Sequence, residues 1–270
     1  MRRVIFLLLA RIGVAAVLMP GLAHSAVCNA VVQGRSGEGI TPLLELYTSE
    51  GCDSCPPVDR WLSALDQPKL GAAVLAFHVD YWDYLGWKDR FARPEFAARQ
   101  RDLVRRQGSR TVYTPQLLVN GRDARAGMQS GIDSWLRQQS AHPARVAMAM
   151  SAAVGSDRIE IELRVSAATR QAPVALKLFL AVTEGNLHSR VTAGENRGSA
   201  LRHDHVVREW VGPFELLAPA AGAAAVPAQL NKSLRMQDGW RREAMTVVAV
   251  VEDSRTGDIL QSLPVALCQQ

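Results

Sequence analysis

The sequence lacks the short motifs that mark most nucleotide-dependent enzymes and serine hydrolases. It contains no P-loop, no glycine-rich dinucleotide fingerprint and no Gly-x-Ser-x-Gly elbow. It has no internal repeat, and beyond its first residues no apolar run is long enough to cross a bilayer. We therefore expect neither a cofactor nor a stable membrane span in the mature chain.

The first residues have the pattern of a secretory signal peptide. A basic start at Arg2 and Arg3 precedes a mostly apolar run, which small residues close near Ala26. We predict that residues 1–26 are removed and that the protein is exported, to the periplasm or out of the cell. An N-terminal membrane anchor is the alternative, although Arg11 divides the apolar run.

The mature chain carries little net charge. Removing Arg2, Arg3 and Arg11 lowers the formal net charge from +5 to +2, which is too little to predict nucleic acid binding. The chain has 270 residues and is 48% hydrophobic, which predicts one large or two modest domains with packed cores.

Cysteine is scarce, and its four positions fall into two pairs. Cys52 and Cys55 form a Cys-x-x-Cys motif, whereas Cys28 and Cys268 lie near opposite ends of the mature chain. Because chain termini often lie close together, we predict a structural disulfide between Cys28 and Cys268. The alternative is two free or separately oxidised thiols.

The first half of the mature chain alternates between predicted strands and helices. Buried strands are predicted at Leu43–Thr48 and Ala73–Val79, with a helix between them, as in a parallel βαβ unit. A second helix is predicted from Pro94 to Gln107, followed by a strand at Gln116–Val119. Beyond His142 period-two alternation dominates, as in Ile159–Val165, which predicts an antiparallel β-sandwich-like domain.

The Cys-x-x-Cys motif lies where a buried strand gives way to a helix. Free N–H groups and the helix dipole at such a place favour a thiolate, and the spacing lets one sulfur resolve a mixed disulfide formed by the other. We therefore predict Cys52 as the attacking thiol and Cys55 as the resolving thiol. Asp53 within the motif opposes this, because a neighbouring negative charge raises a thiol pKa.

The segment Tyr113–Gly121 resembles the thioredoxin superfamily, in which a proline facing the dithiol precedes a strand. The resemblance implies that Pro115 is cis and that Thr114 and Pro115 hold an extended substrate segment. We add Trp82, from the aromatic stretch after the second strand, as an apolar wall of the same site.

Longer strings are similar to the exported family known as domain of unknown function 1223. They are Leu46–Pro57, His78–Trp87, Pro94–Arg101, the Tyr-Thr-Pro segment and Gly194–Arg208. The resemblance implies an α/β thioredoxin-like domain followed by a β-rich domain. We accordingly predict an N-terminal segment at 27–39, the thioredoxin-like domain at 40–144 and the antiparallel β-sandwich-like domain at 145–270.

The predicted function is thiol–disulfide exchange, by Cys52 and Cys55, on the thiols or disulfides of exported protein clients. One alternative is a non-catalytic binding or assembly protein in which this disulfide is purely structural. Another is a copper-handling protein that holds Cu(I) between the two thiolates and His78. The residues His203, Asp204 and His205 suggest either a metal site or, as we prefer, a hydrogen-bonded loop.

Overall fold

A computed structural model of the chain describes residues 28, 31–65, 67–124, 130–169, 175–217 and 228–268. The predicted signal peptide, residues 1–26, lies outside the described residues. The helices of the described part are α1 (Cys55–Ser63), α2 (Gln67–Leu70), α3 (Pro94–Arg106) and α4 (Ile132–Ser140), with 3-10 turns at Asp83–Leu85 and Arg242–Ala244.

Strands make up most of the regular structure of the described residues. In chain order they are β1 (Val31–Arg35), β2 (Leu43–Thr48), β3 (Ala73–His78), β4 (Gln116–Val119), β5 (Arg122–Asp123), β6 (Val146–Val154), β7 (Arg158–Ala167), β8 (Ala175–Glu184), β9 (Leu187–Arg190), β10 (Ala200–His203), β11 (Val206–Leu217), β12 (Ala228–Arg235), β13 (Met245–Asp253) and β14 (Ile259–Ala266).

Eight of these strands form one large sheet, in the order β14-β13-β8-β11-β3-β2-β4-β5. β2 and β3 are parallel, as are β3 and β11, and the other neighbouring strands are antiparallel. A four-stranded antiparallel sheet has the order β1-β6-β7-β12, and β9 and β10 form a separate hairpin.

Both faces of β2 and β3 are buried, which explains their nearly continuous apolar sequences. Leu44 and Leu46 belong to the core beneath α1 and α4, whereas Leu43 and Tyr47 point to the opposite face, where Phe96 of α3 packs. A third core lies between the four-stranded sheet and the strands β8, β13 and β14. The alternating residues of β7 supply one side of that core, for which a half-buried strand is the expected structure.

The predicted fold class, an α/β thioredoxin-like domain followed by an antiparallel β-sandwich-like domain, is wrong. The described chain is mostly β-sheet, and no thioredoxin-like α/β pattern is evident in it. The strands of the first half are part of a sheet that continues into the second half, because β11 pairs with β3. This pairing forms because β3 is fully buried, so the backbone N–H and C=O groups along its outer edge need hydrogen-bond partners within the protein. One of them, Ala76 N–H, donates to the carbonyl of His205.

A buried ion triad also joins the two halves of the chain. Arg99 of α3 donates to Glu45 of β2 at 2.8 Å and to Glu252 of β13 at 3.2 Å. The guanidinium stacks over Trp210, with its carbon 4.4 Å from the ring centroid. α3 is therefore held to strands from both halves by one side chain.

A disulfide joins Cys28 to Cys268, 240 positions apart in the sequence. It links the N-terminal segment to the residues that follow β14. None of the helices in the described part of the chain is long and apolar enough to span a membrane.

Candidate functional site

The Cys-x-x-Cys motif lies at the start of α1, directly after β2. Ser49 turns the chain by accepting hydrogen bonds from Gly51 N–H at its hydroxyl and from Cys52 N–H at its carbonyl. Cys55 is the first helical residue, and Pro56 and Pro57 occupy the first turn, where a backbone N–H has no partner within the helix. The sequence thus positions Cys55 at the positive end of the helix.

Cys52 and Cys55 are bonded to each other, and both residues are covered by protein. Their relative exposures are 1% and 0%, although Asp53 and Ser54 between them are exposed. The Ser54 hydroxyl lies 3.4 Å from Cys52 Sγ. An external thiol can therefore reach these sulfurs only after a local opening of the surrounding chain.

The residues predicted to bind substrate lie together at the same end of the sheet. β4 runs antiparallel to β2 with Gln116 opposite Tyr47, so Thr114 and Pro115 enter the sheet where β2 leaves it. The Thr114–Pro115 peptide bond is cis. Trp82 bridges this segment to the cysteine turn, because its Nε1 donates to Thr114 Oγ1 at 2.7 Å and its Cβ packs against Gly51.

The hairpin β9–β10 holds the cysteine turn from the other side. The side-chain amide of Asn196 donates to the carbonyls of Glu50 and Cys52, at 2.9 and 2.8 Å. Glu195 accepts a 3.1 Å hydrogen bond from Asp53 N–H. No role was predicted for Asn196 from the sequence, where the available signal was its position in the string Gly194–Arg208.

Beside the disulfide lies a buried cluster of five ionisable side chains. Its members are Glu50, Asp59, His78, Asp89 and His203. His78 Nδ1 is 2.6 Å from Asp89 Oδ2, and Asp89 also accepts hydrogen bonds from the backbone N–H groups of Glu50 and Phe91. These contacts tie β3, the cysteine turn and the segment before α3 to one another.

The two members of the His78–Asp89 pair stabilise each other's charge. Burial opposes the imidazolium, but the Asp89 carboxylate together with Asp59 and Glu50 outweighs burial and raises the pKa of His78. Burial likewise opposes the carboxylate, but His78 and the backbone donors lower the pKa of Asp89. The pair is therefore best described as imidazolium and carboxylate.

His203 lies between the remaining two acids of the cluster. Its Nε2 is 3.2 Å from Glu50 Oε1 and its Nδ1 is 4.0 Å from Asp59 Oδ2. Burial raises the pKa of Asp59, so this carboxyl favours its protonated form. Burial opposes ionisation of Glu50 too, but its contacts with His203 and Trp87, whose Nε1 donates at 2.7 Å, lower its pKa.

Two of the histidines proposed from sequence as metal ligands, His78 and His203, are part of this cluster, whereas His205 is not. Among the residues that the structure describes, no group of three or more His, Cys, Asp and Glu side chains could hold a metal ion. His78 contacts Asp89, and the two sulfurs bond to each other. Asp204 instead accepts hydrogen bonds from Asn186 N–H and Arg202, as expected of a hydrogen-bonded loop.

Comparisons with known proteins give a family and two similar structures. Residues 43–252 match the model of the family described as "Protein of unknown function (DUF1223)". No curated protein matches the chain.

Protein AGR_C_4864 from Agrobacterium tumefaciens is 24% identical, with a TM-score of 0.58 over 85% of this chain and 96% of that one. HBP35 of Porphyromonas gingivalis is 16% identical, with a TM-score of 0.66 over 85% of this chain and 76% of that one. These likenesses show a shared fold.

Proposed function

The chain belongs to the DUF1223 family of proteins of unknown function, and from that premise we propose that it exchanges its Cys52–Cys55 disulfide with the thiols of protein clients. The observation that carries this proposal is the position of the disulfide at the start of α1, between a buried strand and a buried ionisable cluster. A disulfide that only braced the fold would need none of these ionisable neighbours.

The proposed reaction starts with a client thiolate that attacks Cys52 Sγ. The bond between the two cysteine sulfurs breaks, a mixed disulfide forms between the client and Cys52, and the electron pair leaves on Cys55. A second client thiolate then attacks the client sulfur and releases Cys52. The client dithiol is oxidised and the protein disulfide is reduced, and the reverse sequence reduces a client disulfide.

The chemistry of the turn supports these roles. The free N–H groups and the dipole at the start of α1 favour a thiolate on Cys55 as it leaves. The Ser54 hydroxyl can donate to a thiolate on Cys52 once the disulfide opens. Client binding belongs to the proposal as well: Trp82, Thr114 and Pro115 border the same turn.

We also propose that the protein is exported to the periplasm or beyond the cell. Two disulfides in one chain are typical of proteins in oxidising compartments. The apolar N-terminal sequence supports the same location.

A non-catalytic binding protein is the second candidate, and the burial of both cysteines favours it. Insulin reduction by dithiothreitol distinguishes the two functions. We expect the purified protein to accelerate it and Cys52→Ser to abolish the acceleration, while the Cys28→Ser/Cys268→Ser variant stays active.

A Cys55→Ser variant should also accumulate a mixed disulfide between Cys52 and insulin, detected by non-reducing mass spectrometry. The matched Cys52→Ser variant should form far less. If the protein leaves the rate of insulin reduction unchanged and no adduct forms, the exchange function is excluded and the binding function stands.

A further inference from the structure

The buried cluster contains more hydrogen-bonding atoms than partners. Within the part of the chain that the structure describes, Asp59 Oδ2, His78 Nε2 and both ring nitrogens of His203 have no hydrogen-bond partner, although His203 lies close to both Glu50 and Asp59. A narrow gap, too small to hold a water molecule, lies among these groups and is lined by Asp59, Leu62, Ala76, His78, His203 and Asp204. Burying polar groups without hydrogen bonds destabilises the folded state, so we infer that these atoms have a functional role.

Glu50 and Asp59 flank the cysteines on both sides in the sequence. Glu50 lies two residues before Cys52, and Asp59 lies four residues after Cys55 in the same helix. Residues four apart project from the same face of a helix, and both Cys55 and Asp59 are buried. Asp59 is therefore one helical turn from the sulfur that leaves during exchange.

The proposed exchange requires a proton at this place. Opening the disulfide leaves a negative charge on Cys55, a fully buried residue without solvent contact. An uncompensated buried thiolate is unfavourable, and the helix start supplies only partial compensation. A nearby proton donor removes the charge and makes the leaving step easier.

We propose that Asp59 gives its proton to the Cys55 sulfur as the disulfide opens, and that His203 and Glu50 position Asp59 for this transfer. This inference rests on the proposed exchange function. The S–S bond breaks, the electron pair goes to Cys55 Sγ, and the proton moves from Asp59 to that sulfur, leaving a carboxylate. His203, 3.2 Å from Glu50 and 4.0 Å from Asp59, lies where its ring can stabilise that carboxylate.

The groups around Asp59 come from four parts of the chain. They are His78 of β3, His203 of β10, Asp89 before α3, and the Thr48 hydroxyl at the end of β2. Glu50 contacts His203. The two histidines favour the Asp59 carboxylate, whereas burial and Asp89 favour the carboxyl. Burial is the largest effect and raises the pKa of Asp59 above its ordinary value.

The test is the rate at which dithiothreitol reduces Cys52–Cys55 in the native protein between pH 5 and pH 8. The rate constant is measured by alkylation and mass spectrometry and divided by the thiolate fraction of dithiothreitol. For the wild type we expect this normalised constant to fall as pH rises, because Asp59 loses its proton. For Asp59→Asn we expect a normalised constant that is independent of pH. At pH 5 it should be lower than the wild-type constant by a factor on the order of a hundred.

Two further variants separate positioning from packing. His203→Gln should shift the pH at which the normalised constant falls. His203 acts through Asp59, so Asp59 remains the proton donor in this variant while its surroundings change. Glu252→Gln changes another buried carboxyl whose pKa burial raises, but it lies beside Arg99, so its profile should match the wild type.

The possible outcomes distinguish this inference from the exchange function itself. A wild-type profile that is flat after normalisation overturns the role of Asp59, even if the Asp59→Asn variant does not fold. Equal profiles for Asp59→Asn and the wild type overturn it as well, while exchange stands. A Cys52–Cys55 disulfide that the native protein never allows dithiothreitol to reduce overturns both.

Discussion

Asn196 Nδ2 donates a 2.8 Å hydrogen bond to the carbonyl oxygen of Cys52, across 144 positions of the sequence. The same amide also binds the carbonyl of Glu50, so one side chain of the β9–β10 hairpin holds both ends of the turn before the disulfide. The hairpin is a two-stranded sheet of its own, and its hold on this turn is largely polar. We therefore expect the buried sulfurs to become accessible when this hairpin is released.

An Asn196→Ala variant is expected to expose the disulfide more often. Each lost hydrogen bond is worth about 1 kcal/mol, so the local opening becomes easier by about 1–2 kcal/mol. If reduction follows opening, the native-state rate of Cys52–Cys55 reduction by dithiothreitol should rise about tenfold. Differential alkylation with mass spectrometry measures that rate.

The control is Asn120→Gly, which removes another bridging amide. Asn120 accepts from Leu43 N–H at the far end of β2 and has a positive φ of 48°, which glycine tolerates. It should lower the free energy of unfolding without accelerating reduction. An equal acceleration in both variants would assign the effect to global destabilisation and contradict a role for the hairpin.

Replacing Arg99 with methionine should destabilise the protein by about 3–5 kcal/mol, because Glu45 and Glu252 would stay buried without their cation. Burial already raises the pKa of Glu252, and loss of the guanidinium raises it further. A group with a raised pKa in the folded state stabilises it below the unfolded pKa, and this stabilisation is lost as pH rises. The deficit of Arg99→Met should therefore be smaller at pH 5 than at pH 8.

Guanidinium unfolding curves at the two pH values measure this deficit. Arg105→Met is the matched surface variant, since Arg105 contacts only the exposed Asp102 at 3.5 Å in the same helix. It should change the free energy of unfolding by less than about 1 kcal/mol at both pH values. A deficit for Arg99→Met that grows toward low pH would argue against a buried triad.

Local patterns in the sequence were sufficient to predict individual elements. The strand at Leu43–Thr48 is confirmed as β2, and the helix from Pro94 is confirmed as α3, ending one residue before Gln107. The signal for β2 is a nearly continuous apolar run, and the signal for α3 is a helical period of apolar residues that begins at Pro94. These signals depend only on neighbours in the sequence.

The wrong fold class and the missed residues have a common cause. Pairing of β11 with β3 depends on an edge that only the folded sheet presents, and local periodicity does not encode it. The same holds for Asn196 and Asp59, whose importance arises from neighbours brought together by folding. His78 was named from the sequence as a possible Cu(I) ligand, but its partner Asp89 was not named.

The two disulfides should differ in their contribution to stability. In the chain-entropy model, closing the 240-residue separation of Cys28 and Cys268 contributes about 5 kcal/mol, whereas closing the three-residue separation of Cys52 and Cys55 contributes about 2 kcal/mol. We expect Cys28→Ser/Cys268→Ser to lower the free energy of unfolding more than Cys52→Ser/Cys55→Ser. Denaturant titrations of the two double variants measure the difference, and an equal or reversed order would contradict it.

The His78–Asp89 pair predicts how stability depends on pH. Because Asp89 raises the pKa of His78 in the folded protein, the pair stabilises fully below the unfolded value of about 6.5. That stabilisation is lost as pH rises through the folded pKa. Asp89, whose pKa is lowered, supports the pair down to pH values below its ordinary pKa.

Removing one partner of a buried pair costs about 3 kcal/mol, so His78→Gln should show this deficit at pH 5.5 and a smaller one at pH 8.5. The ring contacts of His78 with Phe91 and His203 add a part that does not vary with pH. Chemical unfolding at the two pH values measures both parts, and the exposed His142→Gln should show neither. A deficit that is constant or larger at pH 8.5 would mean that His78 is neutral in the folded protein, and the imidazolium–carboxylate description would have to be abandoned.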